Sequence, residues 1–210
     1  MARLLYVEAS PRKQRSASIE VAAAFIAAYR ETHPDDEIEV LDLWALDLPE
    51  FDGEALAAKY AGINGTPLTP AQQSAWDGIR KLAAPFHAAD KLLFAVPLWN
   101  FSIPYKLKHL IDLISQKDVL FTFDERGLNG MLTGKKAAVI YARGLDYHAA
   151  GSTPAASYDF QKPYIEMWLR FIGIGDIAGI IVEKTLFGAE IDTEARAAAK
   201  HQAEKLARQF

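Results

Sequence analysis

Short apolar runs alternate with longer amphipathic stretches along this chain, and the alternation predicts its elements. Leu4-Leu5-Tyr6-Val7 reads as a buried strand. Ser18 is placed to cap a following helix whose apolar face is Ile19, Ala22, Ala23, Ile26 and Tyr29, close to helical spacing. His33-Pro34-Asp35-Asp36 reads as a turn, and residues 37–41 alternate like an outer strand. A long loop follows over 43–68, punctuated by Pro49, Gly53, Gly62, Gly65 and Pro67. Thr69-Pro70-Ala71-Gln72 then combines an N-cap, a proline at the first helical position and a capping-box glutamine, opening a helix that ends near Ala84. Residues 91–96 form a continuous apolar run, as expected of a central strand covered on both faces. The same reading predicts helices over 105–115, 158–172 and 192–209 and strands over 137–142 and 177–182.

Five strands alternating with five helices, joined by crossovers too long for hairpins, indicate an α/β doubly wound parallel sheet with helices on both faces. In a flavodoxin-like arrangement its strand order is 2-1-3-4-5. No repeat or composition break divides the chain, so one domain over 1–210 is expected. The segments 43–68 and 143–157 follow strands, where binding loops usually lie.

Three loops carry candidate chemistry. The first is Ser10-Pro11-Arg12-Lys13-Gln14-Arg15-Ser16-Ala17-Ser18, running from a strand end into a helix start. Unpaired N–H groups and the positive end of the helix dipole bind a phosphate dianion there, and the serine hydroxyls add donors. The alternative is a polar loop with an ordinary N-cap; Arg12, Lys13 and Arg15 are phosphate partners, solvated charges or contacts for an anionic nicotinamide cofactor. The second is Pro97-Leu98-Trp99-Asn100-Phe101-Ser102-Ile103-Pro104, across the switch point from the first. Trp99 and Phe101 offer flat apolar walls and Asn100 a donor, as a flavin ring requires, or the two aromatics pack into the core. The third is Ala142-Arg143-Gly144-Leu145, where Gly144 allows close backbone approach and Arg143 is either a ligand contact or a structural surface charge.

Composition narrows the readings. The 210 residues are 50% hydrophobic with a net charge of −4, and no long basic run suits a nucleic-acid partner. No apolar stretch reaches the roughly 18–20 residues of a membrane span, and the absence of a signal-like N-terminus makes the cytoplasm the expected location. There is no cysteine for a disulfide, thiolate metal site or catalytic thiol. His33, His87, His109, His148 and His201 are dispersed, so no metal site is expected; His148 is the one candidate proton donor. Asp35-Asp36-Glu37 and Asp124-Glu125 read as solvated turns, and Lys106 and Lys108 as exposed helix charges. Neither a dinucleotide glycine fingerprint nor a phosphate loop of the Gly-x-x-x-x-Gly-Lys type is present.

With the three loops in this order, and with Leu107-Lys108, Asp112, Thr133-Gly134-Lys135-Lys136 and Phe171-Ile172-Gly173-Ile174 between and after them, the chain resembles the bacterial FMN-dependent NAD(P)H azoreductases, a group overlapping the NAD(P)H:quinone reductases. The resemblance spans essentially the whole chain. It implies tightly bound, non-covalent FMN held by Ser10, Ser16, Ala17, Ser18, Leu98, Trp99, Asn100, Phe101, Ala142, Arg143, Gly144 and Leu145. It implies NADH or NADPH as donor, quinone or azo acceptors alternating with it in one place, and a homodimer with active sites at the interface. Phe101, Phe123, Tyr147 and Phe171 are candidates for stacking on ring or substrate, with core packing the alternative for the last three. Leu145 stands where the family tends to carry a second glycine, and Ala142 where it often carries a hydroxyl. No catalytic acid, base or nucleophile is required, because the flavin carries the chemistry. A flavodoxin-type electron carrier and a non-catalytic binding module are the competing readings.

Overall fold

The computed structural model describes every residue except Arg126. Among the described residues the chain forms β1 (Arg3–Glu8), α1 (Ala17–Thr32), β2 (Glu37–Asp42), α2 (Gly53–Asn64), α3 (Pro70–Ala88), β3 (Lys91–Pro97), α4 (Tyr105–Ile114), β4 (Phe121–Asp124), β5 (Gly127–Gly130), β6 (Lys136–Ala142), α5 (Ala155–Tyr158), α6 (Lys162–Phe171), β7 (Asp176–Val182) and α7 (Ala189–Ala207). The main sheet has the order β2-β1-β3-β6-β7, all neighbours parallel, which is the expected 2-1-3-4-5 arrangement.

Strand alternation divides the core into two layers. Leu4, Tyr6, Leu93, Ala95, Ala138 and Ile140 face α1 and α7, meeting Phe25, Tyr29, Ala199 and Ala203. Leu5, Val7, Leu92, Phe94, Val96, Val139 and Tyr141 face the opposite way, onto Ile79, Phe86, Leu107, Ile111 and Trp168 of α3, α4 and α6. Complete burial of a side chain such as Phe25 or Phe94 stabilises by about 2–3 kcal/mol.

Several boundaries differ from the sequence expectation. Ser16, not Ser18, is the N-cap of α1: its extended backbone follows a 3-10 turn at Lys13–Arg15, and Ser18 lies fully buried in the first helical turn. The buried face of α1 is Val21, Ala22, Phe25, Ala28 and Tyr29, while Ala23 is exposed. The loop at 43–68 contains α2, which hides only Ala55 and Ala58 and therefore lacks a strong apolar period. The hairpin β4–β5 is also additional; at Gly130 a Cβ would fall 2.1 Å from the Gly173 nitrogen, so only glycine fits. The expected helix over 158–172 is a short α5 followed by α6, separated at Asp159, whose carboxylate takes the N–H groups of Gln161 (2.9 Å) and Lys162 (3.0 Å). The capping box at α3 forms as expected, with Gln72 N–H donating to Thr69 Oγ1 and Thr69 N–H to Gln72 Oε1. That helix continues past Ala84 to Ala88 with Pro85 inside it.

Candidate functional site

The parallel sheet places the ends of β1, β3, β6 and β7 side by side, and the segments leaving them enclose a cavity of about 150 Å³. It is lined by Ser10, Arg12, Ser16 and Ala17 after β1, by Pro97, Leu98 and Trp99 after β3, and by Ala142, Arg143 and Gly144 after β6. Thr185, Leu186 and Arg196 complete the lining, and its charged residues are all arginines.

The first loop carries buried hydroxyls with unused hydrogens. Ser10, Ser16 and Ser18 are 1%, 3% and 0% exposed. Ser16 Oγ and Ser18 Oγ lie 3.1 Å apart and share one hydrogen bond, so one of the two O–H groups has no acceptor. Ser10 Oγ accepts the Arg12 N–H at 3.3 Å, which leaves its own hydrogen without a partner among the described residues. No side chain caps the first turn of α1, so its N–H groups remain donors. The loop's cations divide: Arg12 lines the cavity and Arg15 is exposed, whereas Lys13 turns away to Glu8 and Asp42. Lys13 adopts φ +49°, which lets its ammonium tie the loop to the ends of β1 and β2. Burial disfavours its charge, but the two carboxylates outweigh that and hold its pKa above the ordinary lysine value.

The second loop is a two-residue turn. Trp99 and Ser102 exchange both N–H···O bonds at 2.9 Å, and the central residues Asn100 and Phe101 have φ of +46° and +68°. This is the geometry of a type I′ turn, where asparagine is at ease and phenylalanine is strained by about 1 kcal/mol. The N–H groups of Asn100 and Phe101 have no partner among the described residues, and both side chains are exposed. Behind the turn, Trp99 packs with Trp44 and Tyr105, with ring centroids 5.5 to 6.4 Å apart. Trp44 Nε1 donates to the Ala9 carbonyl at 3.0 Å, so this cluster braces the first loop as well. Lys106 is not a free helix charge: it donates to the Leu46 carbonyl at 2.9 Å and lies over the Trp44 ring. Lys108 is exposed as expected, paired with Asp112 at 2.6 Å.

The third loop is tied down by a buried cation. Arg143 is 3% exposed, which excludes the surface-charge reading. Its guanidinium pairs with Asp159, donates through Nε to Gln161 Oε1 (3.3 Å) and faces the Tyr147 ring at 5.1 Å. Gln161 in turn donates to the Val96 carbonyl (2.8 Å), and Phe160 N–H to the Phe101 carbonyl (2.8 Å). The segment after β6 is thereby fastened to the turn after β3. The N–H groups of Gly144 and Leu145 remain without partners among the described residues. A Cβ on Gly144 would come within 2.6 Å of the Leu186 side chain, which would have to turn aside to admit it.

Of the stacking candidates, Phe101 sits beside the cavity and its ring lies 5.3 Å from that of Tyr158. The other three are not brought to it within one chain. Tyr147 is buried under Arg143, Phe171 packs on Phe121 (4.9 Å), and Phe123, 63% exposed, lines a separate groove with Trp76 and Ile63. His148 is exposed, and its Nδ1 accepts the Ala150 N–H (3.3 Å) within its own loop. Asp36 is no solvated turn: it accepts the Ala2 N–H and the Tyr29 hydroxyl, each at 2.6 Å. No group of His, Cys, Asp and Glu among the described residues could hold a metal ion, and no helix is long and apolar enough to cross a membrane.

Sequence reasoning missed Trp44, Thr185, Leu186 and Arg196. Trp44, two residues beyond the end of β2, and the 185–186 pair just after β7 could have been found from position at the carboxyl edge of the sheet; Arg196, inside a surface helix, carried no such signal.

The cavity is smaller than the several hundred Å³ of a pocket that swallows a whole ligand. Buried hydroxyls, arginines and a helix N-terminus instead suit the phosphate end of a mononucleotide, with free N–H groups at 100–101 and 144–145 nearby. The donor set therefore fits FMN.

Known proteins resemble the chain over its whole length. A family model described as flavodoxin-like fold matches residues 2–207. An "FMN-dependent NADH:quinone oxidoreductase 9" of Burkholderia lata is 64% identical over 211 residues, covering 100% of both chains. An azoreductase of Bacillus anthracis superposes with a TM-score of 0.89 at 29% identity, covering 100% of both chains. An FMN-dependent NADH-azoreductase of the same species, solved in complex with FMN, gives 0.84 at 27% identity, covering 99% of this chain and 100% of that one.

Proposed function

The chain belongs to the flavodoxin-like fold family, and on that premise we propose that it is an FMN-dependent NADH:quinone oxidoreductase that also reduces aromatic azo compounds. The observation that carries this reading is the single cavity joining three loops, with buried serine hydroxyls and arginines at one end and a strained aromatic turn beside it. In this reading residues 1–210 form one FMN-binding unit. Ser10, Ser16, Ala17 and Ser18 hold the phosphate, and Leu98, Trp99, Asn100, Phe101, Ala142, Arg143, Gly144 and Leu145 hold the rest of the cofactor.

FMN held by these residues would supply two-electron, hydride-transfer chemistry between NADH or NADPH and a quinone or azo acceptor. The protein's part is positioning and charge. The hydroxyls and the first-turn N–H groups of α1 neutralise a dianion at the closed end. The free N–H groups of Asn100, Phe101, Gly144 and Leu145 offer fixed dipoles for negative charge that develops on reduction. Arg143, paired with Asp159 and donating to the Gln161 amide, keeps the 143–160 segment fastened to the turn so that these donors hold their places. No carboxylate or imidazole lines the cavity, so no side chain there takes a proton, and donor and acceptor use one place in turn.

A homodimer with active sites at the interface goes with this reading. It is supported by the exposed Tyr60, Ile63, Phe123 and Leu128, each at least 57% accessible, on α2 and the β4–β5 hairpin.

Steady-state kinetics test the proposal. With NADH varied at several fixed quinone concentrations, double-reciprocal lines are expected to be parallel, and an azo dye should behave as a second acceptor. Intersecting lines would exclude alternation at one place. A flavin-containing protein that turns over neither acceptor would be an electron carrier instead.

A further inference from the structure

The phosphate end of the cavity has one wall that does not come from a strand end. α7 packs along α1, and Arg196, one-sixth exposed, reaches the cavity that Ser10, Arg12, Ser16 and Ala17 line. Two carboxylates set its position. Nε donates to Asp192 Oδ1 and Nη1 to Glu20 Oε2, both at 2.7 Å. Nη2 has no partner among the described residues. Asp192 is one turn earlier on the same helix, whereas Glu20 belongs to the first turn of α1. Burial disfavours the guanidinium's charge, but the two carboxylates more than offset it, so the group is firmly cationic.

Glu20 sets a problem that this arrangement answers. A carboxylate in the first turn suits the helix dipole, yet it stands against any second anion bound at the same helix end. Arg196 and Lys200 (2.8 Å) take one oxygen each of this carboxylate. Counting Arg12, the surroundings of the buried serines then carry three cations against Glu20 and Asp192.

We propose that Arg196 is a cofactor-binding residue: held by Asp192 and Glu20, its guanidinium donates to the phosphomonoester of the flavin and selects it over the unphosphorylated form. This inference rests on the FMN reading above and adds to the serine loop a charge delivered from the far end of the chain. An arginine fits this role better than a lysine, because its fork can serve two carboxylates and a phosphate oxygen at once.

The test is equilibrium titration of the deflavinated full-length protein with FMN and with riboflavin, followed by flavin fluorescence. Arg196→Ala should weaken FMN binding roughly tenfold, the loss expected of one charge-assisted hydrogen bond, and leave riboflavin binding unchanged. Arg196→Lys should fall between wild type and Arg196→Ala for FMN. Lys200→Ala, which removes a cation from Glu20 but not from the cavity wall, should have a much smaller effect. Unchanged riboflavin binding also reports that the variant is folded. Equal weakening of both flavins would overturn the proposal and leave Arg196 a structural tie between α1 and α7. If wild type prefers FMN and Arg196→Ala prefers it just as strongly, the proposal falls while the FMN reading stands. A wild-type protein that takes up neither flavin overturns both.

Discussion

The two edges of the same sheet are built in opposite ways. At the amino edge the chain satisfies itself. Asp36 takes the Ala2 N–H and the Tyr29 hydroxyl (2.6 Å each), and Lys91 donates to the same hydroxyl (2.7 Å). Asp90 takes the Arg3 N–H, and Lys135 donates to the His87 carbonyl, both at 2.8 Å. At the carboxyl edge Lys13, Asn100, Phe101 and Lys184 all have positive φ, and the serine hydroxyls keep unused hydrogens. Strain and unused donors at one edge, beside closure at the other, mark where the fold expects something that is not protein.

The largest effect should come from cutting the clamp on the open edge. Asp159→Ala leaves the buried Arg143 with only the more distant, partly exposed Glu183 (4.0 Å) as a charge partner and is expected to cost about 3 kcal/mol in urea unfolding, with loss of flavin binding. Removing hydroxyls that the fold ties only to each other should separate binding from stability. Ser16→Ala with Ser18→Ala should weaken FMN binding by roughly tenfold, as the one hydroxyl hydrogen not spent between them is lost to a charged acceptor, with little change in unfolding midpoint. The matching change at the closed edge, Tyr29→Phe, should do the reverse, costing about 1 kcal/mol of stability with FMN affinity intact. Phe101→Gly should relieve the left-handed strain and raise stability by ~0.5–1 kcal/mol, while quinone turnover falls. A stability loss with unchanged turnover would make that turn ordinary structure.

Acid should weaken both edges. Tyr29 holds the Asp36 carboxyl below its ordinary range, and Lys200 chiefly does so for Glu20. At Asp42 burial pushes upward, but Lys13 outweighs it. Groups lowered in the folded state stabilise fully above the ordinary carboxylate values, near pH ~4–4.5, and that contribution is lost as pH falls through the lowered ones. Unfolding midpoints should therefore fall below that pH, and Asp42→Asn should flatten the decline. An unchanged slope would show that the Lys13 tie adds no stability.

The sheet was legible because its central strands are apolar runs and its edge strand β2 alternates, and α3 because Thr69 and Gln72 announce it. α2 was not, since it buries only two alanines and its glycines read as loop punctuation. The β4–β5 hairpin has strands of four residues, too short for a period. The face of α1 was read a fraction of a turn off: Ala22 and Tyr29 are buried and Ile19 and Ile26 pack at its edge, but its centre is Val21 and Phe25, and Ala23 is exposed. At the site, Ser10, Ser16, Trp99 and Gly144 could be joined in advance because each lies in the loop that leaves the carboxyl end of a strand of a parallel sheet. Arg196 could not, because it meets Glu20 across 176 residues of sequence.

The most direct measurement is an anaerobic half-reaction on the FMN-loaded protein. NADH should bleach the flavin absorbance, and a quinone added afterwards should restore it without oxygen. A protein that takes up no FMN, or one whose bound flavin NADH leaves yellow, would contradict the account.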